Sequence, residues 1–145
     1  MCGIVGYVGS KNAYPIVIEG LKKLEYRGYD STGVSIGHNE NFRLYKTKGK
    51  VSDLESTVKN KDITGTISIG HTRWATHGIP NQINSHPHIS GDGMLSIVHN
   101  GIIENYDSLK KILLEKGHIF ITDTDTEVLI HLIEELKMSE NVDLF

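Results

Sequence analysis

The sequence predicts an α+β fold built on antiparallel sheet. Strand-like and helix-like stretches come in mixed order, and several strands follow one another with no helix between them. Neither a G-x-G-x-x-G turn nor a P-loop is present to mark a nucleotide-binding parallel sheet. At 145 residues, 38% hydrophobic and 23% charged, the chain is long enough for one domain with one core.

The elements follow from local patterning. Ile4 to Gly9 is a short run of β-branched residues and glycine that reads as a buried first strand. Tyr14, Val17, Ile18, Leu21 and Leu24 fall at helical spacing, with Pro15 suited to the first turn. Glu25 to Ser31 then forms a polar and aromatic loop with Gly28 in it and Gly33 just beyond. It reads either as a helix cap with a turn or as support for a site through Arg27, Asp30 and Ser31.

Val34 to Ile36 and Phe42 to Lys46 make a hairpin around the polar turn His38-Asn39-Glu40-Asn41. Ser52 and Glu55 have the spacing of a capping box, which starts a short helix. Thr66 to Ile69 is a further strand, and it runs into a loop from His71 to Gly78 crowded with hydroxyls, His71, His77, Arg73 and Trp74. Met94 to Val98 is read as another buried strand, ending in the polar turn His99-Asn100-Gly101. Leu109, Ile112 and Leu113 mark a helix that stops at Gly117, and His118 to Thr122 a last strand. Thr124 with Glu127 gives a second capping box, ahead of a helix carried by Leu129, Leu132, Ile133 and Leu136. Asp125 suits that helix start because the dipole favours a carboxylate there.

Composition excludes several functional classes. A net charge of -3 gives no basic surface for nucleic acid or an anionic membrane. No apolar run is long enough to span a bilayer, and no basic start with an apolar run precedes Cys2, so the expected location is the cytoplasm. The single cysteine cannot form an internal disulfide. Eight histidines invite a metal reading, chiefly His86 and His88 with His77 and His99, yet no cysteine pair and no H-E-x-x-H accompanies them, and no metal is expected.

The one cysteine stands at position 2, where removal of Met1 makes it N-terminal. A thiol near pKa ~8.5 needs a base to become a nucleophile at neutral pH. A free α-amine titrates at about 7.7 to 8.0, so roughly a third of it is neutral near pH 7.5, and covalent geometry holds it beside the sulfur. The alternatives are a small buried thiol with no chemical role, and a papain-like arrangement with histidine as base.

Five stretches taken together narrow this. Met1 to Gly6, Tyr26 to Ser31, His71 to Gly78, His99 to Asn105 and Thr124 to Val128 closely resemble the N-terminal glutaminase domain of the glucosamine-6-phosphate synthase family, the glutamine:fructose-6-phosphate aminotransferases. The likeness runs from the first residue to about Leu136. Amidophosphoribosyltransferases share the cysteine start and the Asn-Gly turn but usually differ at the second and third stretches.

The resemblance implies an N-terminal-nucleophile hydrolase fold, a four-layer αββα sandwich with antiparallel sheets. It implies that Cys2 attacks the glutamine amide while its own α-amine relays the proton, and that Asn100 and Gly101 form the oxyanion hole. Arg73 would hold the substrate α-carboxylate and Asp125 its α-ammonium. Trp74, Thr76 and His77 would belong to a closing loop, and Arg27 would support Cys2. No cofactor is implied. Partners are L-glutamine and, through a sugar-isomerising domain absent here, fructose 6-phosphate, with homodimers expected for the full-length enzyme. The 145 residues are shorter than the family's glutaminase domain, so the sandwich is expected to be incomplete at its C-terminal end, with an apolar face left open. A non-catalytic remnant and an amidophosphoribosyltransferase-type domain are the competing readings.

Overall fold

The computed structural model describes residues 2–74 and 81–140, apart from the side chains of Arg27 and Glu140. The expected loop residues Thr76 and His77 lie outside this range. Strand β1 spans Gly3–Val8, helix α1 Ala13–Leu24, β2 Ser31–His38, β3 Asn41–Lys48, helix α2 Val51–Val58 and β4 Ile67–Arg73. Two short strands follow, β5 at His88–Ile89 and β6 at Ser96–Ile97, then α3 at Tyr106–Glu115 and α4 at Thr126–Glu140. The first four strands pair antiparallel in the order β1-β4-β2-β3, and β5 pairs with β6 in a separate ribbon.

Alternation along the strands gives the main sheet two different faces. Val5, Tyr7, Val34, Ile36 and Tyr45 meet Tyr14, Val17, Ile18 and Leu21 of α1 and Val51, Leu54 and Val58 of α2, and these form the hydrophobic core. The helix comes very close at Gly70, where an added Cβ would lie 2.7 Å from Val17 and 2.8 Å from Leu21. The opposite face carries Ile4, Gly33, Ser35, His71 and Arg73, and the segment before β5 lies flat on it. A Cβ at Gly33 would fall 2.1 Å from the carbonyl oxygen of His86, and Ser96 Oγ donates to Ser35 Oγ at 2.7 Å. Helix α4 packs beyond β5, and α3 packs on α4. The layers are therefore helix, sheet, ribbon, helix.

Local readings are corrected in several places. The first strand is a sheet edge with one open face, not a buried strand, because Ile4 and Val8 are uncovered on the side away from α1. The fourth strand continues through His71, Thr72 and Arg73, which the sequence reading gave to a loop, because β1 and β2 pair with it on both sides. Met94 to Val98 contributes only two strand residues; Met94 is exposed and Leu95 to Val98 are half-buried. His118 to Thr122 is not a strand: the N–H groups of Ile121 and Thr122 donate to the Glu127 carboxylate, each at 2.8 Å. That use of Glu127 also replaces the expected capping box with Thr124.

The other capping box lies elsewhere too. Helix α2 starts at Val51, whose N–H donates to Glu25 Oε1 at 2.7 Å, while Asp53 accepts from Lys50 N at 2.8 Å. Two carboxylates thus serve the amino end of α2, and Ser52 is inside the helix. In α3, Leu113 is buried but Ile112 is exposed. Its stop at Gly117 is as expected: Gly117 has φ 94° and His118 N donates to Leu113 O at 3.0 Å. Helix α4 is turned from its apolar stripe. It buries Glu127, Val128, Ile130, His131 and Glu134, and leaves Leu136 exposed.

Candidate functional site

Antiparallel pairing brings the two ends of the sequence motifs together. Gly3 pairs with Thr72, and its N–H donates to Thr72 Oγ1 at 3.1 Å. One residue further, the Cys2 sulfur accepts the backbone N–H of Trp74 at 3.1 Å and contacts its carbonyl at 3.5 Å. The half-buried thiol therefore sits at the open end of β4, fixed by main chain. Asn100 reaches it from the turn after β6, donating through Nδ2 to the Cys2 carbonyl at 3.4 Å.

A cavity of about 230 Å³ opens here, lined by Cys2, Arg73, Trp74, Asn100, Gly101 and Asp125, with histidines 71, 86 and 99 in its wall. That is smaller than the range common for drug-sized ligands and suits an amino acid. Arg73 is buried at the end of β4, next to the strand edge that carries Cys2. Asp125, buried just before α4, accepts the Ile103 N–H through Oδ2 at 2.7 Å, and its backbone carbonyl accepts from Val128 N. The helix-start role and a site position coexist in one residue. Six of the nine expected site residues thus come together: Cys2, Arg73, Trp74, Asn100, Gly101 and Asp125. Thr76 and His77 lie outside the described residues, as does the Arg27 side chain.

The loop at residues 25–31 supports this site through main chain. Asp30 N donates to the Arg73 carbonyl at 2.7 Å, Asp30 O accepts from Gly49 N at 3.0 Å, and Ser31 Oγ donates to Asp30 Oδ1 at 2.9 Å. Gly28, at φ 88°, gives the Trp74 indole its room, since a Cβ there would be 3.0 Å from the ring. The turn reading holds, and through Asp30 the turn fixes the end of β4.

The histidines form a column that the sequence reading treated only as a possible metal set. His71 stacks on His86 with ring centroids 4.6 Å apart, and His86 meets His88 edge-on at 4.6 Å. Burial, with the Arg73 charge beside it, lowers the His71 pKa to about 4. Burial likewise lowers His88 to about 3 and pushes His86 further down. All three are neutral at pH 7. His86 Nδ1 accepts the His99 N–H at 3.3 Å, and His88 Nε2 pairs with Thr124 Oγ1 at 3.0 Å. His71 has no hydrogen-bond partner for either ring nitrogen among the described residues. The signal that could have singled it out is its position two residues before Arg73, on the same face of β4.

Comparison with known proteins places the chain among its relatives. The family model described as a glutamine amidotransferase domain matches residues 44–142. A glutamine–fructose-6-phosphate aminotransferase [isomerizing] of Bacteroides thetaiotaomicron is 60% identical over 145 residues, covering 99% of this chain and 24% of that protein. The protein of the same name from Caldanaerobacter subterraneus subsp. tengcongensis is 58% identical over 134 residues, covering 92% and 22%. The chain spans about a quarter of the length of the curated relatives it matches. Among solved structures, the glutamine phosphoribosylpyrophosphate amidotransferase from B. subtilis, complexed with ADP and GMP, superposes with a TM-score of 0.73 at 31% identity. It covers 92% of this chain and 29% of that one. A structure described as the allosteric regulatory enzyme of purine biosynthesis gives 0.78 at 30%, with the same coverage. The α+β fold with antiparallel sheets is that of the N-terminal-nucleophile amidotransferases. In the described residues no helix is long and apolar enough to cross a membrane. The strands that deliver Cys2, the turn that brings Asn100 and the matched domain all lead to one conclusion: this chain belongs to the glutamine amidotransferase domain family.

Proposed function

We propose that this chain carries the glutamine-hydrolysing site of a glutamine:fructose-6-phosphate aminotransferase, with Cys2 as nucleophile. Residues 1–145 are read as part of a glutaminase domain, with the sugar-isomerising domains outside them. The observation that carries the reading is the meeting of Cys2, Arg73, Asn100 and Asp125 at one amino-acid-sized cavity. Identities of 58 to 60% to aminotransferases of that name, against 30 to 31% to the amidophosphoribosyltransferase type, support this branch.

With Met1 removed, the Cys2 α-amine takes the thiol proton and the sulfur bonds to the glutamine side-chain carbonyl carbon. Asn100 Nδ2 and the Gly101 N–H stabilise the oxyanion that forms. As the carbon–nitrogen bond breaks, the amine returns the proton to the leaving ammonia. Water then hydrolyses the thioester to glutamate and frees the thiol. Arg73 offers a planar fork to the substrate α-carboxylate, and Asp125 a charge to its α-ammonium. Trp74, Thr76 and His77 would cover the bound substrate, and Arg27 would support Cys2. In the intact protein the ammonia would aminate fructose 6-phosphate, in a cytoplasmic homodimer.

The test is glutamate release from glutamine by the purified chain, together with its intact mass before and after a glutamine-shaped electrophile. A single adduct on des-Met1 chain, lost in Cys2→Ala, is the expected outcome. A folded des-Met1 chain that forms no adduct and releases no glutamate overturns the reading for this chain and leaves the non-catalytic alternative.

A further inference from the structure

The face of α4 that turns inward carries Glu127, His131 and Glu134, spaced four and three residues apart. Apolar residues are available on other faces of the helix, so this polar burial has a cost that needs an explanation. Glu127 is accounted for by the loop it holds at Ile121 and Thr122. Glu134 holds the Asp92 N–H through Oε1 alone, its Oε2 faces His131 Nδ1, and His118 points at both from the segment after α3.

His118 Nδ1 lies 3.3 Å from His131 Nδ1 and 3.6 Å from Glu134 Oε2, and His131 Nδ1 lies 3.4 Å from the same oxygen. We propose that His118, His131 and Glu134 form a binding site for a zinc-class divalent cation, separate from the Cys2 cavity. A point about 0.7 Å off the plane of a triangle with these edges lies about 2.1 Å from each corner, the bond length of zinc to imidazole nitrogen or carboxylate oxygen. Tetrahedral bonds of about 2.0 to 2.1 Å put neighbouring donors roughly 3.3 to 3.4 Å apart, whereas octahedral ones bring them to about 2.9 Å. The observed edges fit the tetrahedral case.

The surroundings suit the same group. His118 Nε2 lies 3.1 Å from Glu135 Oε2, which fixes the ring with that nitrogen protonated and Nδ1 free to bind. Lys116 pairs with the same carboxylate. His131 Nε2 lies 3.7 Å from Glu127 Oε1, and the second oxygen of Glu134 accepts the Asp92 N–H at 3.1 Å. All three donors line the larger cavity of about 800 Å³, so the fourth position is left to water or a small ligand. The site would tie the 116–122 segment to α4. It shares no residue with the histidine column of the Cys2 cavity.

The experiment uses the untagged chain, stripped with a chelator and checked for a folded melt. Zinc is added, unbound metal is removed, and retained metal is measured; cobalt replaces zinc to read coordination from its visible spectrum. Expected are about one zinc retained per chain, a raised Tm, and the intense visible bands of tetrahedral cobalt. His118→Gln and Glu134→Gln, the latter keeping the bond to Asp92, should each weaken binding by at least about 100-fold. A folded wild-type chain that retains no zinc overturns the proposal. So does retention that is unchanged in both variants, or that is lost in His86→Gln instead.

Discussion

The sulfur of Cys2 accepts the backbone N–H of Trp74 at 3.1 Å. A donor that belongs to the main chain cannot be removed by side-chain substitution, and it lies one residue past Arg73. The proposed nucleophile and the proposed carboxylate anchor are therefore placed by one pair of strands, so loss of activity and loss of structure can be separated by choosing which side chain to change.

Cys2→Ala should abolish glutamate release and adduct formation while the Tm stays within a few degrees of wild type. The thiol is half-buried and its main contact is with the Trp74 backbone. Calorimetry beside an activity assay checks both parts.

Asn100→Ala should lower kcat by about 100- to 1,000-fold, the usual cost of one oxyanion donor, about 3 to 4 kcal/mol of barrier. Its effect on KM for glutamine should be small. The opposite split, a raised KM at unchanged kcat, would assign Asn100 to ground-state binding.

Asp125→Asn should chiefly raise KM for glutamine. The amide oxygen can still accept the Ile103 N–H that Asp125 now accepts at 2.7 Å, but the charge is gone. Asp125→Ala should add a loss of about 1 to 3 kcal/mol in stability, because the Ile103 donor is left without its partner. Denaturant titration of the two variants separates charge from structure.

Gly33→Ala should destabilise the fold by about 1 to 3 kcal/mol and lower activity. The new methyl would meet the His86 carbonyl, a backbone atom that cannot rotate away. Tm and adduct formation would both fall; a silent substitution would show that the His86 segment is free to lift from the sheet.

Acid should destabilise the chain through the buried histidines. His71 is held at about 4 and His88 at about 3, against 6.5 when exposed, so the unfolded chain binds more protons below pH 6.5. Their contribution is fully present above pH 6.5 and declines as pH falls toward 4 and 3, by about 1.4 kcal/mol per unit for each histidine. Denaturant midpoints at pH 7 and 5.5 measure this, and His71→Leu should flatten the slope.

Much of the site was legible because its residues are chemically unusual for their positions. A lone cysteine beside a removable methionine and an asparagine-glycine turn at a strand end each limit the chemistry available. The histidine column was not legible as such, since His71, His86 and His88 are neutral wall residues only once β4 and the segment before β5 stack. Nor was the burial of His131 and Glu134: the apolar stripe of α4 runs along another face, and local periodicity cannot register partners that come from residues 92 and 118.

The sequence by itself determined the α+β class, α1 and its core face, the hairpin of β2 and β3, the stop at Gly117 and the place of the one cysteine beside the removable Met1. These depend on spacing, turn chemistry and residue type within a short window. Only the tertiary structure decided that β4 runs on to Arg73, that Glu25 caps α2, that residues 118–122 are held by Glu127, and that a polar face of α4 turns inward. Each of those outcomes is set by a hydrogen-bond partner distant enough that no local pattern encodes it, or by a burial that only the assembled layers impose.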